Sequence, residues 1–362
     1  MSEDSPFVKM MSLESDYATL GEKKIDINKR ISKIDRRARE QSKASICCVC
    51  GRSCTSFCNS HSVPHFSLNR IAENGKVAQV LQGEIPTMGD ETGLNRAGTF
   101  RLICRDCDST IFQEYETPNA YTKEPTEKML AQIAMKNTLH MISKRKYEIA
   151  LYNIVEQEFG NFHSLGSGKS IEEIDLAEYQ SSLQYAINSL SIGKGGRYHI
   201  YFYRILDYVV PLAAQASLCL IGDFEDRIIN NIYNLSEDLQ TPSIHVAVFP
   251  LEKTSIILLF VESNNNRYRK MFRQLNKLEP GDQLAAINYM IFSYTENVFL
   301  SPSVYATVRE HPEFMNVCRK TTTTEGLLLS TDPIKVAIKE FSLSKRNLIP
   351  NLLSREFALT VP

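Results

Sequence analysis

Residues 47–68 read CCVCGRSCTSFCNSHSVPHFSL, and residues 100–116 read FRLICRDCDSTIFQEYE. Cys47-x-x-Cys50 and Cys104-x-x-Cys107 are separated by 53 residues, and each pair can offer two thiolates to one ion from a tight knuckle. Four such sulfurs satisfy tetrahedral Zn²⁺. Seven of the nine cysteines fall between positions 47 and 107, with Cys219 and Cys318 beyond. The first residues, MSEDSPFVKMMSLESDY, show no basic stretch followed by an apolar one. The expected setting is therefore the cytoplasm, where thiols stay reduced and paired CxxC units read as metal ligands before they read as disulfides. The second pair ends an extended apolar segment, Thr99 to Ile103, and opens a predicted helix from Asp108 to Glu116. Knuckle, hairpin and helix in that order make a treble clef. Cys48 adjoins one proposed ligand, and Cys54 or Cys58 could replace one. A zinc held by four thiolates has no open coordination position, so its expected role is structural.

The same residues resemble the zinc-bearing branch of the HNH endonuclease superfamily over about 75 positions. The matching residues are Cys47, Cys50 and Gly51, then His61 with Pro64, then Leu102 and Ile103 before Cys104 and Cys107, and finally Glu116. Ser60 stands where that branch usually carries an acidic residue, and Asp108 stands where Asn is usual. The resemblance implies a single-metal nuclease. In it His61 is the general base that activates water, while Glu116, with Asp108, holds a catalytic Mg²⁺ or Mn²⁺ against a phosphate of DNA or RNA. A neutral imidazole can take a proton from water, and a hard cation on oxygen ligands neutralises charge building on the phosphoryl group. The alternative is a non-catalytic, zinc-stabilised module for a protein partner.

Composition sets the outer bounds. A chain of 362 residues, 43% hydrophobic and 23% charged, has the makings of a folded protein with a sizeable core. Its 41 Lys and Arg against 42 Asp and Glu exclude a global polycation, so any nucleic-acid contact must come from a local patch. No apolar run approaches the roughly 20 residues of a membrane span. Residues 22–43, EKKIDINKRISKIDRRAREQSK, hold nine Lys and Arg against four Asp and Glu, with Ile27, Ile31, Ile34 and Ala38 spaced along one helical face. This basic helix reads either as a solvated face packed through its Ile stripe or as an arm that contacts nucleic acid. Residues 45–118 hold six Lys and Arg against eight Asp and Glu.

The expected architecture is α+β. A polar tail and basic helix occupy 1–44, the zinc clef 45–118, and a larger, mainly helical domain 119–362 with a short β-hairpin near 244–262. Within that domain helices are expected over 124–159, 171–190, 203–221, 224–236, 265–278 and 281–300, with a glycine-rich linker at 160–168. Gly166-Ser-Gly-Lys169-Ser170 lacks the first glycine of a phosphate-binding loop, since His163 stands there. Arg267, Arg269, Lys270 and Arg273 form a second basic patch, and Arg197 and Arg204 flank an aromatic run from Tyr198 to Tyr203.

Overall fold

The computed structural model describes residues 23–80, 91–159, 163–191, 196–234, 236, 240–320 and 332–360. Helix α1 (Lys23–Gln41) leads into the cysteine-rich segment, which contains β1 (Ser60–His61), α2 (His65–Ile71), β2 (Lys76–Gln79), β3 (Glu91–Gly93), β4 (Thr99–Phe100) and α3 (Arg105–Ile111). Two long helices follow, α4 (Glu127–Phe159) and α5 (His163–Ser191). The rest contains β5 (Tyr198–Leu206), β6 (Leu212–Leu218), β7 (Ile244–Pro250), β8 (Ser255–Glu262), α6 (Arg269–Leu275), α7 (Pro280–Tyr294), β9 (Val298–Leu300), α8 (Pro302–Val308), α9 (Pro312–Arg319) and α10 (Pro333–Glu340).

A seven-stranded antiparallel sheet, ordered β3-β2-β9-β6-β7-β8-β5, lies at the centre. On one face Val246, Val248, Ile257 and Leu259 join a core with Met271 and Phe272 of α6 and Ile287, Met290 and Ile291 of α7. On the other, Ala247, Phe249, Leu258 and Phe260 join Ile133 and Leu139 of α4 and Leu183 and Ala186 of α5. Helices therefore cover both faces of the sheet. The strand pair expected at 244–262 is present, with β7 and β8 antiparallel across a turn at residues 251–254.

The larger part is more than a helical body with a hairpin. The helix expected at 203–221 is instead the end of β5 and all of β6, on either side of Pro211. Strand β6 is buried along nearly its whole length, Gln215 included, because β7 and β9 flank it and helices cover both of its faces. A strand buried in that way loses the alternation that distinguishes it from a buried helix. Residues 224–234 form turns, where Asp223 accepts from the backbone N–H groups of Glu225 and Arg227 at 2.8 and 3.1 Å. The helix expected to reach residue 300 stops at Tyr294, and Val298–Leu300 becomes β9. The linker expected at 160–168 is helical from His163 onward.

The cysteine-rich segment does not stand apart from this sheet. Its β2 pairs with β9, and Ser62 donates to Asn297 at 2.7 Å. Backbone pairing thus links residues 78–79 to residues 299–300. Helix α1 packs on α4 through Ile34 and Ala38 against Ala150 and Ile154, so these two members of its stripe face the body.

Candidate metal centre

Residues 45–54 fold back on themselves. Cys47 N–H donates to Arg52 O, and Gly51 N–H to Cys47 O, closing the first knuckle; Gly51 takes φ +69°, a conformation that glycine adopts without steric cost. The knuckle is held on the stretch that follows β4 by Cys48 N–H to Leu102 O and Cys58 N–H to Ile103 O, each 2.9 Å. Cys104 precedes α3 as its N-cap, and Cys107 lies in its first turn. The four sulfurs of Cys47, Cys50, Cys104 and Cys107 all lie within 4.8 Å of one another, with Cys47 and Cys107 3.8 Å apart and Cys50 and Cys104 3.9 Å apart. A tetrahedron with metal–sulfur bonds of about 2.3 Å has edges of about 3.8 Å, so these four residues are positioned to hold a metal ion.

Hydrogen bonds favour the thiolate at Cys50 and Cys104, whereas burial pushes the Cys107 thiol up. Cys104 N–H donates to Cys47 Sγ at 3.3 Å. Arg52 Nε donates to Cys50 Sγ at 3.3 Å and draws that exposed thiol down to about 6, while Arg52 Nη2 lies 3.0 Å from Asp106. Of the competing cysteines, Cys58 donates to Asp108 Oδ2 at 3.1 Å, and Cys54 donates to Arg52 O. Among the described residues, the four cysteines form the one group of three or more His, Cys, Asp and Glu donors close enough for a metal.

The three residues assigned to catalysis divide between two faces. Strand β1 pairs antiparallel with β4, Ser60 opposite Phe100 and His61 opposite Thr99. Successive side chains on a strand point to opposite sides. Ser60 is thus turned inward, 1% exposed, and donates to Asp108 at 2.6 Å. His61 is turned the other way and donates from Nε2 to Leu94 O at 3.0 Å. Burial lowers the His61 pKa, against the opposing effect of that hydrogen bond, so the ring stays neutral near pH 7.

Behind Ser60 lies a residue that sequence reasoning missed as part of the site. Lys136 of α4, 1% exposed, donates to Ser60 Oγ at 2.5 Å and lies 2.9 Å from Asp108 and 3.2 Å from Glu116. The ammonium occupies the place between two carboxylates that a cation would take. Burial alone would raise the Asp108 pKa, but Lys136 and the hydrogen bonds from Ser60 and Cys58 leave it below the usual value. At Glu116 burial prevails and the pKa rises. The available signal was a lysine that is the one Lys, Arg, Asp or Glu in the helical run MLAQIAMKNTLHMI from Met129 to Ile142.

Two of the residues in the second basic patch have side-chain partners from a distant part of the chain. Lys270 pairs with Asp223 and Glu225, and Arg267 donates to Asn230. Tyr198 and Phe202 are core residues. Residues 1–22 and 321–331 lie outside the described set. Among the described residues no helix is long and apolar enough to cross a membrane. No family model matches this chain, and neither a curated protein nor a solved structure does.

Proposed function

We propose that this chain is a nucleic-acid-binding protein whose N-terminal segment is a treble clef stapled by structural zinc. The observation that carries the reading is α1. Its Ile34 and Ala38 are packed on α4, which leaves Lys33, Arg36, Arg39 and Lys43 on an exposed ridge leading directly into the first knuckle. Arg39 and Lys43 are bridged locally to Asp35 and Glu40, whereas Lys33 and Arg36 have no ionic partner among the described residues. Cations held on a docked helix release counterions from a phosphate backbone when they bind it, and binding then weakens steeply with salt. Fluorescence anisotropy with labelled duplex DNA, single-stranded DNA and RNA tests this reading. The wild type should bind at least one of them with salt-dependent affinity, and Lys33→Glu/Arg36→Glu should weaken that binding by at least about tenfold. Absence of salt-dependent binding to all three rejects the reading in favour of a protein-interaction module.

The state of His61 favours a second reading, phosphodiester hydrolysis at an HNH-type centre. With Nε2–H fixed on Leu94 O, the neutral ring keeps its Nδ1 lone pair for a proton. Asp108 and Glu116 would be the carboxylates for Mg²⁺ or Mn²⁺, and Lys136 would have to leave them first. Plasmid cleavage with either cation, lost in His61→Ala, supports hydrolysis; no cutting, or equal cutting by both proteins, rejects it.

A further inference from the structure

Arg52 belongs to both halves of the cysteine cluster. Its main chain closes the first knuckle, where its carbonyl accepts from Cys47 N–H at 2.9 Å. Its side chain crosses to the second. Nε donates to Cys50 Sγ at 3.3 Å, while Nη2 donates to Cys104 Sγ at 3.8 Å and to Asp106 Oδ2 at 3.0 Å. One guanidinium thus meets one sulfur from each CxxC pair, and a carboxylate in the first turn of α3 fixes its orientation. The Arg52 carbonyl also accepts from Cys54 Sγ at 3.4 Å, which gives that neighbouring thiol a partner outside the cluster.

Four thiolates bring four negative charges to an ion with two positive ones, so a zinc centre of this kind is an anion. Donors that reach the sulfurs offset the excess, and removing such an outer partner changes metal affinity by about 10–100-fold. Cys104 N–H supplies one of these bonds, to Cys47 Sγ at 3.3 Å, from within the ligand set itself. Arg52 brings a full positive charge to two other sulfurs. Exposure then singles out Cys50. Cys47, Cys104 and Cys107 are buried, whereas Cys50 is exposed, so an outside reagent meets the centre at Cys50, beside Arg52. We propose that Arg52 is a positioning residue of the metal centre, holding Cys50 and Cys104 as charged ligands, and that Cys50 is the ligand the centre yields first. The proposal rests on the structural-zinc reading above and assigns to one side chain the control of how firmly the ion is kept. An exposed Arg–Asp pair by itself adds little to stability, so the effect belongs to the metal-loaded protein. A lysine keeps the charge but cannot present its donors in one fixed plane, so it replaces Arg52 only in part.

The test uses the full chain with Zn²⁺ or Co²⁺ alone. Competition with a chromophoric chelator measures metal affinity in the wild type, Arg52→Gln, Arg52→Lys and a control, Arg273→Gln, which changes an exposed arginine of α6. Arg52→Gln should hold Zn²⁺ about 10–100-fold more weakly, Arg52→Lys should fall between it and the wild type, and the control should match the wild type. The Co²⁺ form of Arg52→Gln should keep the sulfur-to-metal charge-transfer bands of the wild type, and the metal-free variant should keep the wild-type melting temperature. Loss of either would make Arg52 a structural residue of the knuckle and overturn the proposal. Limited alkylation of the Zn²⁺ protein with iodoacetamide, read by peptide mass spectrometry, tests the second half. The Cys50 thiolate forms a bond to the methylene carbon as iodide leaves, and Cys50 should be marked before Cys47, Cys104 and Cys107, faster in Arg52→Gln than in the wild type. Unchanged Zn²⁺ affinity in Arg52→Gln, or first marking at another of the four, overturns the proposal and leaves the zinc staple intact. A wild type that binds neither ion overturns both.

Discussion

Gly98 joins the metal-binding segment to the sheet at very close range. Its φ is +59°, and a Cβ there would stand 2.5 Å from Ser62 Oγ and 3.0 Å from the Phe299 ring. Ser62 cannot yield freely, because its N–H donates to Gly98 O and its hydroxyl to Asn297. Gly98→Ala should therefore cost about 2–4 kcal/mol, from left-handed strain plus overpacking. Gly75 has a similar φ of +72° and nothing within 4 Å of a built Cβ, so Gly75→Ala should cost about 1 kcal/mol. Thermal melts of the two variants separate these terms, and equal losses would show that the Ser62–Phe299 contact does not matter. Lys136 makes the complementary point. A buried lysine between two carboxylates is costly to desolvate and is retained only with good partners. Its chemistry is visible in the sequence as an oddity, but its partners, Asp108 and Glu116, are 28 and 20 positions away and become apparent only when α4 is laid across α3.

At the level of the helix pair, α4 and α5 enclose a charged cluster. Arg145 pairs with Glu148, Glu172 and Asp175, while Lys144 reaches Glu148 and Glu296. Burial pushes Glu148 up to about 7, although Arg145 and Lys144 pull in the opposite direction. A carboxyl whose pKa is higher folded than unfolded, where it is about 4.3, contributes stability that is complete below that value and is lost as pH rises toward 7. The helix pair should therefore melt at lower temperature at pH 8 than at pH 5.5, and Glu148→Gln should reduce that difference. Circular dichroism melts at the two pH values measure it, and an unchanged difference in Glu148→Gln would assign the dependence to other groups, Asp175 among them. Helix α4 is also an element whose existence was plain from its periodicity. By contrast, β6 was misread, because being buried on both faces removes the alternation that marks a strand.

Across the whole molecule, the four-cysteine cluster and the sheet are parts of one structure, since β2 extends the sheet beside β9. Helix α3 has seven residues, too few to be stable alone, so its integrity depends on the knuckles and on α4. A thiol-competent chelator should lower the melting temperature and release one equivalent of metal, restored by Zn²⁺ or Co²⁺; no metal in the purified protein and no response would remove the staple from the account. The four cysteines could be paired in advance because two CxxC units are each legible within four residues, independent of what surrounds them. The β7–β8 hairpin could be found for a related reason, its strands and turn being contiguous. The seven-strand order, the splitting of His61 from Asp108 across β1, and the pairing of Asp108, Glu114 and Glu116 with lysines of α4 depend on contacts between residues far apart in the chain. No local pattern encodes those meetings; they follow from which apolar faces are left to be covered once each element has formed.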